Sequence, residues 1–321
     1  MRITAWIAAA CLALAGGAQA GTVGYQTITV PVPGDTPMAG AIWYPADAPE
    51  TEEPLALFRQ SVARDAPVSG GRHPLVVISH GTGGSMVDHY DTARALAQAG
   101  FVVAAVTHTG DTRGDRSRTL RITERPGQLV RLIDFMTTGW SGRDMVDPMR
   151  VGAFGFSSGG FSVLGAIGGE PNMTRIPSHC AEHPHFYDCG TQRGPGIGPL
   201  PTTIAPVAHD TRIRSAVVAA PALGFAFEPA GLKNVTIPVQ LWRAEWDTVL
   251  PQPYYAEAVR RLLPKADYHV VPAAEHFDFM APCSDALAKV APSICSKTID
   301  RAAFHKTFNA TVVRFFQKTL R

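Results

Sequence analysis

The chain has 321 residues, 45% of them hydrophobic and 17% charged, and a formal net charge of +2 with histidines neutral. This balance excludes a disordered or fibrous chain, and the length allows one or two domains around a large buried core. No run of Lys or Arg forms a nucleic-acid footprint, and no stretch beyond the N-terminus is apolar for long enough to cross a bilayer.

In chain order, residues 1–20 read as a signal peptide. Arg2 precedes an apolar run from Ile3 to Ala15, and Ala18-Gln19-Ala20 is a small-x-small cleavage site. The mature protein is then expected to begin at Gly21, in the periplasm or outside the cell. A lipid anchor on Cys11 is disfavoured, because three alanines before it make a poor lipobox. Residues 24–32 read as a strand and 39–44 as its partner. Residues 46–73, rich in Pro, Ala and charge, read as irregular. The run P-L-V-V-I-S at 74–79 is apolar and β-branched throughout, the mark of a strand buried on both faces. A helix over 86–98 ends at Gly100, and 101–106 is the next buried strand. The pattern repeats with a helix over 127–137, a strand at 150–154 and a helix of small residues over 158–168. Residues 171–210 break it with many prolines. Strands resume at 215–220, 237–242 and 267–271, and an amphipathic helix over about 300–318 closes the chain. Such alternation implies a mostly parallel sheet flanked by helices: one catalytic domain, 21–321, with a cap-like insertion at about 171–210.

The chemistry centres on Gly155-Phe156-Ser157-Ser158-Gly159, which matches G-x-S-x-G between a buried strand and a helix of small residues. A serine on that junction stands clear of the sheet as a nucleophile, and the flanking glycines let strand and helix approach. The frame selects Ser157; Ser158, next in line, would supply only its main-chain N–H to an oxyanion hole. The second donor is expected from Thr82 in His80-Gly81-Thr82-Gly83-Gly84, a turn with neither a P-loop ending nor G-x-G-x-x-G spacing. His80 reads as a brace for this loop. The base should come last in the chain, after the acid. His269 falls within a strand and His305 on the final helix, which leaves His276. For the acid, Asp247 and Glu245 both follow the strand at 237–242, and Asp247, before the turn into the next helix, is preferred. Asp267 and Asp278 are expected to be solvated. Together these features specify an α/β-hydrolase fold.

The strings S-H-G-T-G-G-S, L-A-Q-A-G-F-V-V-A-A-V-T-H-T-G-D and G-F-S-S-G-G resemble exported bacterial α/β-hydrolases known as predicted dienelactone hydrolases, relatives of the platelet-activating-factor acetylhydrolase family. The likeness runs from about residue 24 to the C-terminus. Two departures bear on function. Dienelactone hydrolase proper uses a cysteine nucleophile, where this chain has Ser157. The eukaryotic acetylhydrolases take their acid just after the strand that follows the elbow helix; here that place holds Ala219, Ala220 and Pro221, which again directs the search to Asp247.

The reading is therefore carboxylic-ester hydrolysis through an acyl-enzyme on Ser157, Asp247 and His276, with no cofactor, no metal and a small-molecule ester as partner. The rivals are a lipase or phospholipase acting on lipid esters and an inactive binding protein on the same scaffold. Cys180 with Cys189 and Cys283 with Cys295 form two local pairs once the leader is removed, as suits an oxidising compartment. A metal site among Cys180, Cys189, His179, His183 and His185 is the alternative, but its spacing is irregular. Phe156, Trp246 and Phe277 neighbour the three catalytic candidates, and no Lys or Arg adjoins them, Arg243 being nearest. A short to medium uncharged acyl group is expected. Stable membrane insertion is not expected, and the oligomeric state stays open.

Overall fold

Continuous β-branched runs build the middle of one sheet. The computed structural model describes residues 21–321 other than Leu200, Thr202 and Ser296; the predicted signal peptide lies outside the described residues. The described strands are β1 (Thr22–Val30), β2 (Met38–Ala46), β3 (Thr51–Leu55), β4 (Phe58–Arg64), β5 (His73–Ser79), β6 (Val102–Val106), β7 (Val146–Phe156), β8 (Ile213–Ala219), β9 (Val239–Ala244) and β10 (Asp267–Val271). Their spatial order is β10-β9-β8-β7-β5-β6-β2-β1-β4-β3. From β6 to β10 every neighbouring pair is parallel, whereas β1–β2, β2–β6 and β3–β4 are antiparallel. This is an α/β-hydrolase fold. Every residue of β6, and β5 from Leu75 on, is buried, so neither strand shows the polar alternation of a half-exposed sheet.

Two apolar layers cover the sheet. On one face Leu129, Leu132, Phe161 and Val259 pack from helices Arg125–Asp134, Ser158–Ala166 and Ala256–Leu262. On the other, Leu96 of helix Tyr90–Gln98 joins Phe308, Val312 and Phe316 of helix Arg301–Thr319. β5 sits between β6 and β7, so the winding reverses there. Such a switch point opens a crevice beyond the C-terminal ends of the strands. The loops leaving β5, β7, β9 and β10 at that edge carry His80–Gly84, Ser157, Asp247 and His276 in turn.

The segment expected to be irregular, 46–73, contains the hairpin of β3 and β4, paired from Thr51↔Val62 to Leu55↔Phe58. Its charges obscured it, yet they pair across the strands: Arg59 with Glu52 at 3.3 Å and Arg64 with Glu53 at 2.9 Å. Pro54 is tolerated because β3 is the edge strand. On β4 Gln60 is buried and accepts from Trp43 Nε1 at 2.8 Å, so this polar residue belongs to the core-facing side. No helix among the described residues is long and apolar enough to cross a membrane.

Candidate active site

Ser157 is the hinge between β7 and helix Ser158–Ala166. Its backbone has φ 56° and ψ −119°, a conformation that costs a non-glycine residue about 1–3 kcal/mol. Hydrogen bonds on both sides hold it there: Ser157 N–H donates to Ala219 O, and Ala222 N–H donates to Ser157 O, each at 2.9 Å. Two glycines make the turn tight enough. A Cβ on Gly155 would lie 2.1 Å from Gly159 O, and one on Gly159 would lie 2.0 Å from Ser79 O.

Ser157 is met by a residue 119 positions later: its Oγ lies 3.0 Å from His276 Nε2. On the other side of the ring His276 Nδ1 lies 2.8 Å from Asp247 Oδ2. Asp247 Oδ1 also accepts from Val249 N–H at 3.0 Å and Leu250 N–H at 2.7 Å, so the carboxylate is fixed by its own loop. All three side chains are buried. Glu245, the alternative acid, instead accepts from Ala273 N–H at 2.9 Å and braces the turn before His276. His269 stacks on Trp242 and His305 reaches Asp91, both away from Ser157.

The loop bearing His276 has an anchor that local polarity did not reveal. Asp278, expected to be solvated, is fully buried. Its Oδ1 accepts from Arg301 Nε at 3.0 Å and its Oδ2 from Glu275 N–H at 2.8 Å. The final helix packs over this loop and supplies both Arg301 and His305, whose Nε2 lies 2.8 Å from Asp278 O. Asp267 is exposed, as expected.

The glycine turn after β5 faces Ser157 from the other side. Ser158 is the first residue of its helix, so its main-chain N–H has no intrahelical acceptor. Thr82 Oγ1 and Ser158 Oγ lie 2.5 Å apart. The hydroxyl of Ser158, assigned no part from sequence, thus ties together the two residues expected to supply oxyanion donors. Behind the turn is a buried polar network in which His80 has the bracing place expected of it, while its partners His108, Asp111 and Arg125 were missed. His80 Nδ1 faces Gly81 O at 2.6 Å and its Nε2 accepts from His108 N–H at 2.9 Å. Burial, aided by Arg125, pushes the His80 imidazole well below the ordinary histidine range, so it stays neutral with both nitrogens engaged. His108 bridges Ser79 Oγ at 2.7 Å and Gln128 Oε1 at 2.6 Å. Asp111 accepts from Gly83 N–H at 3.0 Å and pairs with buried Arg125 at 3.1 Å; Arg125 also donates to His80 O. The string T-H-T-G-D after a buried strand was the available signal, but the partners that lock it to the glycine turn and to Arg125 lie 14 to 29 residues away in sequence.

Two cavities meet at Ser157, Thr82 and Tyr187. The smaller, about 90 Å³, is lined by Ser158, Met173, Ile176, Asp188, Leu223 and Leu250 among others. The larger, about 680 Å³, opens on the His276 side and includes Phe156 and Phe277. Trp246 lines neither and is 54% exposed, contrary to its expected place in the wall. The fold also brings Arg113 and Arg116 to the larger cleft, although no cation adjoins the three residues in sequence. Residues 171–199 carry two short helices, Ile176–Glu182 and Tyr187–Thr191, bound by the disulfide Cys180–Cys189. A second disulfide joins Cys283 and Cys295. His179, Asp188 and Cys189 bring potential ligand atoms within 4.8 Å of one another, but the sulfur is consumed in the disulfide and offers no thiolate.

A family model described as platelet-activating factor acetylhydrolase, isoform II, matches residues 55–125, which span β4, β5, the glycine turn and β6. The structure is similar to a ferulic acid esterase from Streptomyces cinnamoneus, with a TM-score of 0.65 and 21% identity over 96% of this chain and 93% of that one. It is also similar to a dienelactone hydrolase from Anabaena variabilis, with a TM-score of 0.53 and 16% identity over 92% of this chain and 98% of that one. No curated protein matches the sequence. The chain has an α/β-hydrolase fold, and its residues 55–125 are similar to the platelet-activating factor acetylhydrolase family.

Proposed function

We propose that the protein is a serine esterase that cleaves carboxylic esters through an acyl-enzyme. The observation that carries this reading is the position of His276, 3.0 Å from Ser157 Oγ and 2.8 Å from Asp247. In the first step Ser157 Oγ bonds to the ester carbonyl carbon while its proton passes to His276 Nε2. Asp247 keeps the His276 Nδ1–H in place and stabilises the imidazolium. The carbonyl oxygen becomes an oxyanion, for which the main-chain N–H groups of Thr82 and Ser158 are the donors, each contributing about 3 kcal/mol. The carbon–oxygen bond to the alcohol then breaks, and His276 returns the proton to the leaving oxygen. Water repeats the sequence on the acyl-enzyme and releases the acid.

The leaving oxygen must lie next to His276 Nε2, so the alcohol half of the substrate occupies the larger cleft that His276 lines. The acyl half takes the smaller chamber. At ~15 Å³ per water-sized group, its 90 Å³ holds about six such groups, which fits a short acyl chain. The part of the expected insertion from Met173 to Gln192 lines this chamber and acts as its cap. The signal peptide expected from the sequence and the two disulfides support work in the periplasm or outside the cell. A fluorophosphonate probe tests the assignment: the mature protein should be labelled on Ser157, as mapped by mass spectrometry. Labelling on another residue, or none, would refute it.

A further inference from the structure

Thr82 is flanked by Gly81, Gly83 and Gly84. Glycines leave the neighbouring peptides free to take many directions, whereas an oxyanion donor works only if its direction is fixed beforehand. The turn abuts the nucleophile, since a Cβ on Gly81 would lie 3.3 Å from Ser157 Cβ. The peptide carrying the Thr82 N–H is held by its carbonyl: Gly81 O accepts from His80 Nδ1 at 2.6 Å and from Gly84 N–H at 3.2 Å. His80 Nε2 accepts from His108 N–H, which places the ring proton on Nδ1. In a planar trans peptide C=O and N–H point opposite ways. The Thr82 N–H therefore points away from this bound carbonyl, and it meets no acceptor among the described residues. The next peptide is held separately. Gly83, at φ 69°, donates its N–H to Asp111 Oδ1 at 3.0 Å. Thr119 Oγ1 donates to the same oxygen at 2.9 Å, and Asp111 Oδ2 pairs with Arg125 Nη1 at 3.1 Å. Arg125 Nη2 donates to His80 O. Asp111 and Arg125 are both buried.

We propose that Asp111, held by Arg125, is a positioning residue of the oxyanion hole: by taking the Gly83 N–H it fixes the turn that presents the Thr82 N–H to the substrate carbonyl. The inference rests on the esterase reading. A buried ion pair is weak evidence of added stability, because apolar residues of similar volume often replace one without loss. It does fix direction, since guanidinium and carboxylate meet in a set geometry. Here the pair directs its contacts at the turn: His80 O and Gly83 N–H are main-chain groups on either side of the Gly81–Thr82 peptide. Without the carboxylate oxygen, the Gly83 N–H has no fixed acceptor, and the glycines let the donor swing away from Ser157.

The test compares two double variants, Asp111→Asn with Arg125→Met and Asp111→Leu with Arg125→Met. Each removes both buried charges together, so neither strands one. They differ in whether residue 111 keeps an oxygen for the Gly83 N–H. Turnover of p-nitrophenyl butyrate is expressed per Ser157 site, counted by complete fluorophosphonate labelling. The variant with Asp111→Leu should have a kcat at least about tenfold below the one with Asp111→Asn, part of the roughly 10²–10³ lost when a donor is removed outright, with KM values within about threefold. The inhibition constant of butylboronic acid, which forms a tetrahedral adduct on Ser157 Oγ, should rise by a similar factor. Equal kcat per labelled site overturns the proposal. So does a loss confined to KM or to the number of labelled sites, the mark of a purely structural role. If the variant with Asp111→Leu does not fold, amide exchange in the wild type decides. Corrected for intrinsic rates, Gly83 should exchange at least about tenfold more slowly than Thr82, and butylboronic acid should slow Thr82; a Gly83 amide as fast as that of Thr82 overturns the proposal. A wild type not labelled on Ser157 refutes the esterase reading itself, whereas a labelled wild type with equal double variants refutes the role of Asp111 alone.

Discussion

Replacing Arg301 by Met should destabilise the protein by about 3–5 kcal/mol, the usual result of removing one partner from a buried ion pair. Arg301 is 6% exposed and Asp278 is 0% exposed, with Nε and Oδ1 3.0 Å apart. Methionine fills much of the arginine stem, so lost packing is small and the main cost is a buried carboxylate without its cation. The bond from Arg301 Nη2 to Ile294 O at 2.7 Å is lost as well, which places the effect toward the upper end. Total stability is commonly about 5–15 kcal/mol, so the variant should remain folded but marginal. The assay is urea unfolding with the disulfides intact. With m near 3 kcal/mol/M, the midpoint should fall by about 1–1.7 M at unchanged m. Adding Asp278→Asn removes the stranded charge while leaving an oxygen for Glu275 N–H, so the double variant should recover part of the loss. A single-variant shift under about 0.3 M, close to 1 kcal/mol at that slope, would refute the reasoning. So would a double variant less stable than Arg301→Met.

Other outcomes follow from the site. Ser157→Ala should lower kcat by several orders of magnitude through loss of the covalent route, whereas Ser158→Ala should cost about tenfold, a value in keeping with one hydrogen bond between the two loops; steady-state kinetics on p-nitrophenyl butyrate give the order, and the reverse would move the nucleophile. Asp247→Asn should cost roughly 10⁴ in kcat by favouring the wrong tautomer of His276, and Glu245→Gln should be mild because it touches only the backbone of Ala273; equal losses would contradict the assignment of the acid. Peptide mapping of exported protein without reductant should recover Cys180 with Cys189 and Cys283 with Cys295, and free thiols at these positions would overturn both pairs. Short p-nitrophenyl esters should be cleaved with a higher kcat/KM than a charged dienelactone, whose carboxylate would meet Asp188 if it entered the smaller chamber; the opposite ranking would direct attention to Arg113 and Arg116.

Local sequence carried much of the fold, because its signals are local in origin. The runs at 74–79 and 101–106 are apolar on both faces since both faces are covered, and they lie in β5 and β6. Gly155 and Gly159 marked the elbow because no side chain fits where β7 meets its helix. Chain order narrowed the acid to Asp247 or Glu245 and the base to His269, His276 or His305, and local context selected Asp247 and His276, which the fold brings within 2.8 Å. Tertiary packing decided the rest. Asp278 reads as a polar loop residue until a helix beginning more than twenty positions later covers it and delivers Arg301. The brace of His80, His108, Arg125 and Asp111 comes from three separate segments whose side chains share no periodic pattern. The β3–β4 hairpin was hidden because its charges satisfy each other across strands. Arg113 and Arg116 reach the larger cleft, and Asp188 the smaller one, only because loops distant in sequence close over the C-terminal edge of the sheet. Burial and long-range pairing depend on which segments become neighbours, and a residue's own sequence context does not contain that information.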